Sequence, residues 1–432
     1  MTNLQRLDDC LARIHDSQGE GKRTYIRLFE DQARACASAW DAMHDAGMPL
    51  PPLAGMPVSV KDLFDVAGTT TTAGSVALKD AAPAQQDAPV LKRLRAAGAV
   101  IVGTTNMTEF AMGGLGLNPH YGTPRNPYDR KTGRIPGGSS SGAAVSVTDG
   151  MATAAIGSDT AGSVRMPAAV CGLTGFKPTA RRVPIDGSIP LAASLDSVGP
   201  LAADVATCAL IDAVLAGEQP DVPVPMPLAG LRFAVAKTVV FDDVESVVAD
   251  TFARALTKLS KAGARIVEIP FAELNEVEQA SARGSFSVIE GYAYHRELLE
   301  KKRDLYDPII AARFANGQKI GAADYIALRN ARADLIERTR RVTSGFDAIL
   351  MPTVPIVAPK IADLESDENR YLAANRLMIR NPGLVNFLDR CALTIPAHEP
   401  GSAPVGLTLM GETLADRRIL SIGLSVEAAL SA

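Results

Sequence analysis

Residues 136–167 read PGGSSSGAAVSVTDGMATAAIGSDTAGSVRMP. Two loops rich in glycine and serine, 137–142 and 157–163, flank a run of small residues able to cross a packed core once. Glycine tolerates positive φ and lets a ligand approach main-chain N–H groups, so a serine in such a loop stands beside free donors. Either loop alone reads equally well as a solvated turn. Two of them at the ends of one core-crossing run favour a site. The run predicts a helix over 141–149, a short strand over 152–156 and a helix opening over 164–170. Ser163 then lies at a helix N-terminus, where unpaired N–H groups and the helix dipole stabilise an oxyanion formed beside it.

Outward from this stretch the chain alternates helices and strands. Leu4, Leu7, Leu11 and Ile14 stand at helical spacing, and 25–43 predicts a second helix. Residues 56–65, MPVSVKDLFD, read as a strand entering the core with Lys61 at its end. A lysine is ordinarily a solvated surface residue, and here it interrupts an apolar strand. Residues 88–98 predict a helix closed by Gly98 and 99–103 a buried strand. The segment 106–127 holds too much Gly, Pro and Asn for a regular element and is expected to wrap the core near the serine loops. Residues 186–200 read as a loop, 203–217 as a helix and 221–227 as a Pro-rich linker. A β-α-β rhythm covers 231–269, and 279–335 is a long charged helical portion. A core strand over 346–355 is followed by two further strands, within 381–397 and 405–411, that close the same sheet. No repeat or low-complexity segment interrupts this order. The pattern predicts one α/β domain over 1–432, a large mixed β-sheet covered by α-helices on both faces. Within it, 61–200 form the catalytic core and 220–340 a more variable helical portion.

Composition narrows the function. With 47% hydrophobic and 21% charged residues the chain has an ordinary globular balance and is expected to fold alone. A formal charge of −4, with no Lys/Arg run, argues against nucleic acid as a partner. Five scattered cysteines (Cys10, Cys36, Cys171, Cys208, Cys391) without a CxxC pair indicate neither a zinc ribbon nor a disulfide framework. The start lacks a basic segment followed by an apolar one, and no run of 18 apolar residues occurs, so a soluble cytoplasmic protein without a membrane span is expected. A homodimer is the expectation for an enzyme of this size.

Serine attacks only when a base takes its proton, and the usual base is histidine. The chain has five: His15, His44, His120, His295 and His398. Residues 138–142 satisfy G-x-S-x-G, which would make Ser140 the attacker at a nucleophile elbow. The preceding 132–136 is a poor strand, however, and neither His295 nor His398 has the setting of a triad base. The other base is a lysine held neutral by burial, and Lys61 is the candidate.

These residues carry a family resemblance: the chain resembles the amidase signature enzymes. The resemblance rests on 58–62 with its lysine, 137–142 and 157–165, with 106–110 and 121–127 in the expected order. It is strongest over 57–200 and returns at 347–355 and 404–420. It implies a single amidase signature domain in which Ser163 is the nucleophile, Ser139 a bridging serine on a cis peptide, and Lys61 the base. The 24-residue separation of Ser139 and Ser163 agrees with the family pattern. It implies further that the backbone at Thr160, Ala161, Gly162 and Ser163 holds the oxyanion, that Asp159 and Arg165 brace the loop, and that Ala111, Met112 and Gly138 border the substrate. Met112 and Cys171 read equally well as plain core. Ala161 stands where many relatives have glycine.

The implied activity is an amidohydrolase that cleaves the C–N bond of a small amide through an acyl-enzyme, with no metal or organic cofactor. Two alternatives remain open. One is the amidase subunit of a tRNA-dependent amidotransferase with glutamine as ammonia donor, against which stands the lack of a Gly-Tyr-Tyr-Asp segment in the C-terminal half. The other is a hydrolase of urea-derived acids such as allophanate or carboxybiuret. A non-catalytic binding protein is disfavoured because Lys61, Ser139 and Ser163 are all present.

Overall fold

In the computed structural model, which describes residues 1–431, eleven strands join in one mixed sheet. They are β1 (Tyr25–Leu28), β2 (Pro57–Lys61), β3 (Val100–Thr105), β4 (Ala154–Asp159), β5 (Thr174–Lys177), β6 (Ser197–Ala202), β7 (Arg232–Ala236), β8 (Arg265–Ile269), β9 (Ala348–Pro352), β10 (Ala392–Pro396) and β11 (Gly406–Met410). Their order across the sheet is β1-β3-β2-β4-β6-β5-β10-β11-β9-β7-β8.

Successive side chains of a strand point to opposite faces, and β4 shows what covers each. Ala154 and Ile156 pack with Val205, Cys208 and Ile211 of the helix Val205–Ala216 and with Ile419 and Ile422 of the helix Asp416–Ser431. Ala155 packs on the other face with Ala143 and Ala144 of the helix Ser141–Thr148 and with Ala168 and Ala169 of the helix Arg165–Cys171. The helix Ser141–Thr148 is buried over 141–147, which accounts for its small residues on every side.

Register brings the site together. β2 runs parallel to β3 and β4, pairing Val60 with Ile156, so the carboxyl ends of β2 and β4 reach the same edge. β6 runs antiparallel to β4 and pairs Ser197 with Asp159, so it begins at that edge. Lys61, Ser158, Asp159 and Asp196 converge there through topology alone.

Four expectations are corrected. Residues 25–28 form the edge strand β1, antiparallel to β3, and the second helix spans Glu30–Asp45. The expected loop 186–200 ends in β6, whose Gly199 and Pro200 masked it. β5 pairs only with Leu201 and Ala202 of β6, so Pro200 lies outside that ladder and its missing N–H costs nothing on that flank. The helical portion 279–335 is not continuous. It breaks into Leu274–Ala280, Phe286–Lys302, Pro308–Ala315 and Ala322–Thr343, with Pro308 at the first position of its helix, where proline is tolerated. Residues 381–387 close the helix Glu368–Phe387, which contains Pro382, and the strand begins only at Ala392.

Among the described residues, no helix is long and apolar enough to cross a membrane.

Candidate active site

Lys61 ends β2 fully buried. Its Nζ lies 2.7 Å from Ser139 Oγ and 2.8 Å from Ser158 Oγ. Burial pushes the Lys61 ammonium down to about 7, against the opposing pull of the Asp159 and Asp196 carboxylates. An amine of that pKa is half neutral near pH 7 and can accept a proton.

Ser139 follows a cis peptide bond from Gly138. Its carbonyl accepts from Thr108 N at 3.0 Å and Ser141 N at 3.0 Å. Gly138 is a position for glycine alone: an added Cβ would stand 2.5 Å from Gly116 N. Its own N–H donates to Gly114 O at 2.8 Å. Gly138 thus lies behind the cavity wall and not on it, contrary to the expected substrate contact. Ser140 is also fully buried, with its Oγ 3.5 Å from the Ser158 carbonyl, and its N–H donates to Ser163 O at 3.3 Å. That bond ties the two serine loops together. It also leaves Ser140 no opening toward a substrate.

Ser163 borders a cavity of about 320 Å3 together with Thr160, Ala161, Ala111 and Met112. The loop beneath it is held by one carboxylate. Asp159 accepts from Gly162 N at 2.8 Å, Val164 N at 3.2 Å, Arg165 Nε at 3.0 Å, Arg165 Nη2 at 2.9 Å and Asn386 Nδ2 at 3.0 Å. Burial alone would raise the Asp159 pKa, but Arg165 and these donors hold it at about 2. Arg165 reaches on to Asn386 Oδ1 at 2.6 Å and Pro382 O at 3.0 Å, clamping the loop to the helix Glu368–Phe387. The structure therefore brings Asp159 and Arg165 into one bidentate buried pair.

The Asp159 bond occupies the Gly162 N–H, while Thr160, Ala161 and Ser163 border the cavity. Gly162 has φ 118°, and a Cβ there would meet Pro382 Cβ at 2.4 Å. Ala161 avoids the left-handed region, so its methyl carries no backbone strain. Phe110 and Ala111, by contrast, have φ of 49° and 59°, and this double left-handed step carries 111–113 into the wall of the cavity. Cys171 is buried, with its Sγ against Pro136 O at 3.2 Å, and does not reach the cavity.

Asp196 and Ser158 were invisible as functional groups in sequence. Asp196 Oδ1 accepts from Thr160 Oγ1 at 2.5 Å, and its carboxylate also accepts from Leu191 N at 3.0 Å and Ala192 N at 3.2 Å. Burial raises its pKa to about 6, against the pull of those donors and of Lys61. No signal for Asp196 stood in the sequence, because the strand it precedes reads there as a loop. His295, set aside as a triad base, is fully buried, stacks on Phe314, packs tilted against Phe110 and bonds Tyr306. Burial drops its pKa to about 3, so it is a neutral core group.

The comparisons with known proteins show the family. The chain is 37% identical to the 2-amino-5-chloromuconic acid deaminase of Comamonas testosteroni, over 99% of this chain and 93% of that one. It is 33% identical to a glutamyl-tRNA(Gln) amidotransferase subunit from Koribacter versatilis, over 97% and 93%. It is 37% identical to a 1-carboxybiuret hydrolase subunit from Pseudomonas sp. strain ADP, over 82% and 78%. A crystal structure of an amidase superposes with a TM-score of 0.88 at 30% identity, covering 99% of this chain and 96% of the other. The amidase family model matches residues 7–420, and the chain belongs to that family of hydrolases acting on carbon–nitrogen bonds.

Proposed function

We propose that the protein hydrolyses the C–N bond of a small amide through Ser163, Ser139 and Lys61. The observation that carries this reading is the 2.7 Å contact between a fully buried Lys61 Nζ and Ser139 Oγ, on a loop that the Ser140 N–H to Ser163 O bond ties to the loop of Ser163 at the cavity.

Neutral Lys61 takes the Ser139 proton as Ser139 takes that of Ser163, and Ser163 Oγ bonds to the amide carbonyl carbon. The N–H groups of Thr160, Ala161 and Ser163 receive the oxyanion, already oriented by the Asp159 and Asp196 anchors. Collapse breaks the C–N bond as Ser139 returns a proton to the leaving nitrogen. Water, deprotonated through the same relay, then releases the acid from Ser163. Lys61 Nζ and Ser139 Oγ are already in contact at 2.7 Å before substrate arrives, which supports transfer between them.

The 33% identity to an amidotransferase subunit favours a second reading, in which glutamine is the ammonia donor and a partner receives the ammonia. A panel of aliphatic amides, aromatic amides, glutamine and urea-derived acids, assayed for ammonia release beside Ser163→Ala, separates the two. Turnover of small amides that disappears in the variant supports the hydrolase. Turnover of glutamine alone transfers the weight to the amidotransferase, and turnover that survives in Ser163→Ala overturns the assignment of the nucleophile.

A further inference from the structure

The cavity beside Ser163 is lined mainly by Met112, Met166, Leu191, Ile379 and Phe387, yet its wall also carries Arg313, Arg376, Arg380 and a single acid, Glu278. Glu278 is matched by Arg376 at 3.1 Å on the exposed rim. Arg313 and Arg380 have no carboxylate partner among the described residues. Arg313 Nη1 donates to Met112 O at 2.5 Å, while Arg380 reaches Asn381 Oδ1 at 3.1 Å and Val240 O at 3.3 Å. Burial lowers the pKa of both guanidinium groups.

Arg313 is also held in place. It lies on the helix Pro308–Ala315, whose first turn is capped by Asp307 Oδ1 on Ile309 N at 2.8 Å. Asp307 N in turn donates to Glu109 Oε2 at 2.7 Å, and the Glu109 carboxylate also accepts from Ser75 Oγ at 2.6 Å. Glu109 precedes the turn that brings Ala111 and Met112 to the cavity, so Arg313 and the wall next to Ser163 share one anchor. A guanidinium held in a mostly apolar wall by the Met112 carbonyl and the Tyr371 hydroxyl, with no carboxylate on its fork, is matched by a carboxylate that bonds it in two places. Asp307 offsets part of its charge without bonding the fork.

We infer that the substrate is an acid-amide, a short chain whose carboxylate, remote from the scissile C–N bond, is seated on Arg313 with Arg380 as a second positive wall. This rests on the hydrolase reading for the scissile bond, whereas the carboxylate site stands on the arginines alone. At about 320 Å3 the cavity is near the small end of ligand pockets, ~300–1,000 Å3, and admits a chain of dicarboxylate length.

The test separates binding from turnover. In Ser163→Ala, calorimetry with succinate, glutarate and adipate is set against the corresponding neutral diamides. At least one diacid is expected to bind at least tenfold tighter than its diamide, and adding Arg313→Gln is expected to remove that preference. Should Arg313→Gln fail to fold, Arg313→Lys keeps the charge without the fork and is expected to weaken the diacid severalfold. With Ser163 intact, the kcat/KM ratio of half-amide to neutral amide is expected to fall at least tenfold in Arg313→Gln, through KM. Diacids that bind no tighter than diamides, or a ratio untouched by either Arg313 variant, overturn the proposal. Arg313-dependent diacid binding without hydrolysis of any amide would overturn the hydrolase reading and leave this one standing.

Discussion

Lys61 Nζ and Ser139 Oγ stand 2.7 Å apart although 78 positions separate them in the chain, joined because β2 ends where the first serine loop turns. The contact is closed to solvent on the lysine side. Its consequences are measurable in both rate and stability.

The rate should follow the charge of Lys61. With its pKa held at about 7, the profile of kcat/KM against pH is expected to rise through about pH 7 and then level. Lys61→Met is expected to lower kcat by a factor of roughly 10²–10⁴, the usual contribution of a positioned base. A profile with no limb between pH 6 and 8 would contradict this.

The same shift carries a sign for stability. A lysine whose pKa falls on folding is penalised in full below the folded value, and the penalty fades as pH rises from about 7 to about 10.5. The difference in Tm between Lys61→Met and the unaltered protein is therefore expected to favour the variant most below pH 7 and to move against it as pH approaches 10. Thermal unfolding across that range checks the slope, and a flat difference would contradict it.

Arg165 and Asp159 are buried on both sides and bond in two places. Arg165→Ala leaves the Asp159 charge buried and is expected to cost about 3–5 kcal/mol. Arg165→Lys cannot reproduce the fork and is expected to rescue only a minor part. Chemical denaturation of the three proteins gives the comparison. The Asp159 pKa of about 2 lies below the usual carboxylate value, so its contribution is full above about pH 4 and is lost as pH falls toward 2.

Gly162→Ala adds a Cβ 2.4 Å from Pro382 Cβ at a φ of 118°. The loop must shift, and with it the N–H groups proposed to hold the oxyanion. A drop in kcat of roughly 10²–10³ is expected, the effect of losing one such donor. An unchanged kcat would separate this loop from the chemistry.

Much of the backbone around the candidate site was legible because it is local. The two serine loops, the helix after Ser163 and the strand ending in Lys61 each announce themselves through glycine spacing or apolar runs. β6 was not legible, because Gly199 and Pro200 are breakers in sequence and are tolerated only where a neighbouring strand leaves that flank unpaired. Asp196 was lost with it. The cavity was the least legible part. Arg313, Phe286 and Phe387 lie on three separate helices, and which face each presents depends on breaks at Pro308 and near Gly284 that a charged helical run conceals. Where the strand within 381–397 begins was not legible, since Pro382 signals a stop and the helix Glu368–Phe387 runs on past it.

The most direct test of the account is to trap the covalent intermediate. A slowly released amide or activated ester is mixed with the protein, quenched in acid, and the intact mass and peptide map are recorded. The expected result is one acyl adduct, mapped to Ser163, absent from Ser163→Ala and formed much more slowly in Ser139→Ala and Lys61→Met. An adduct on another residue, or steady turnover with hydroxylamine giving no hydroxamate, would contradict it.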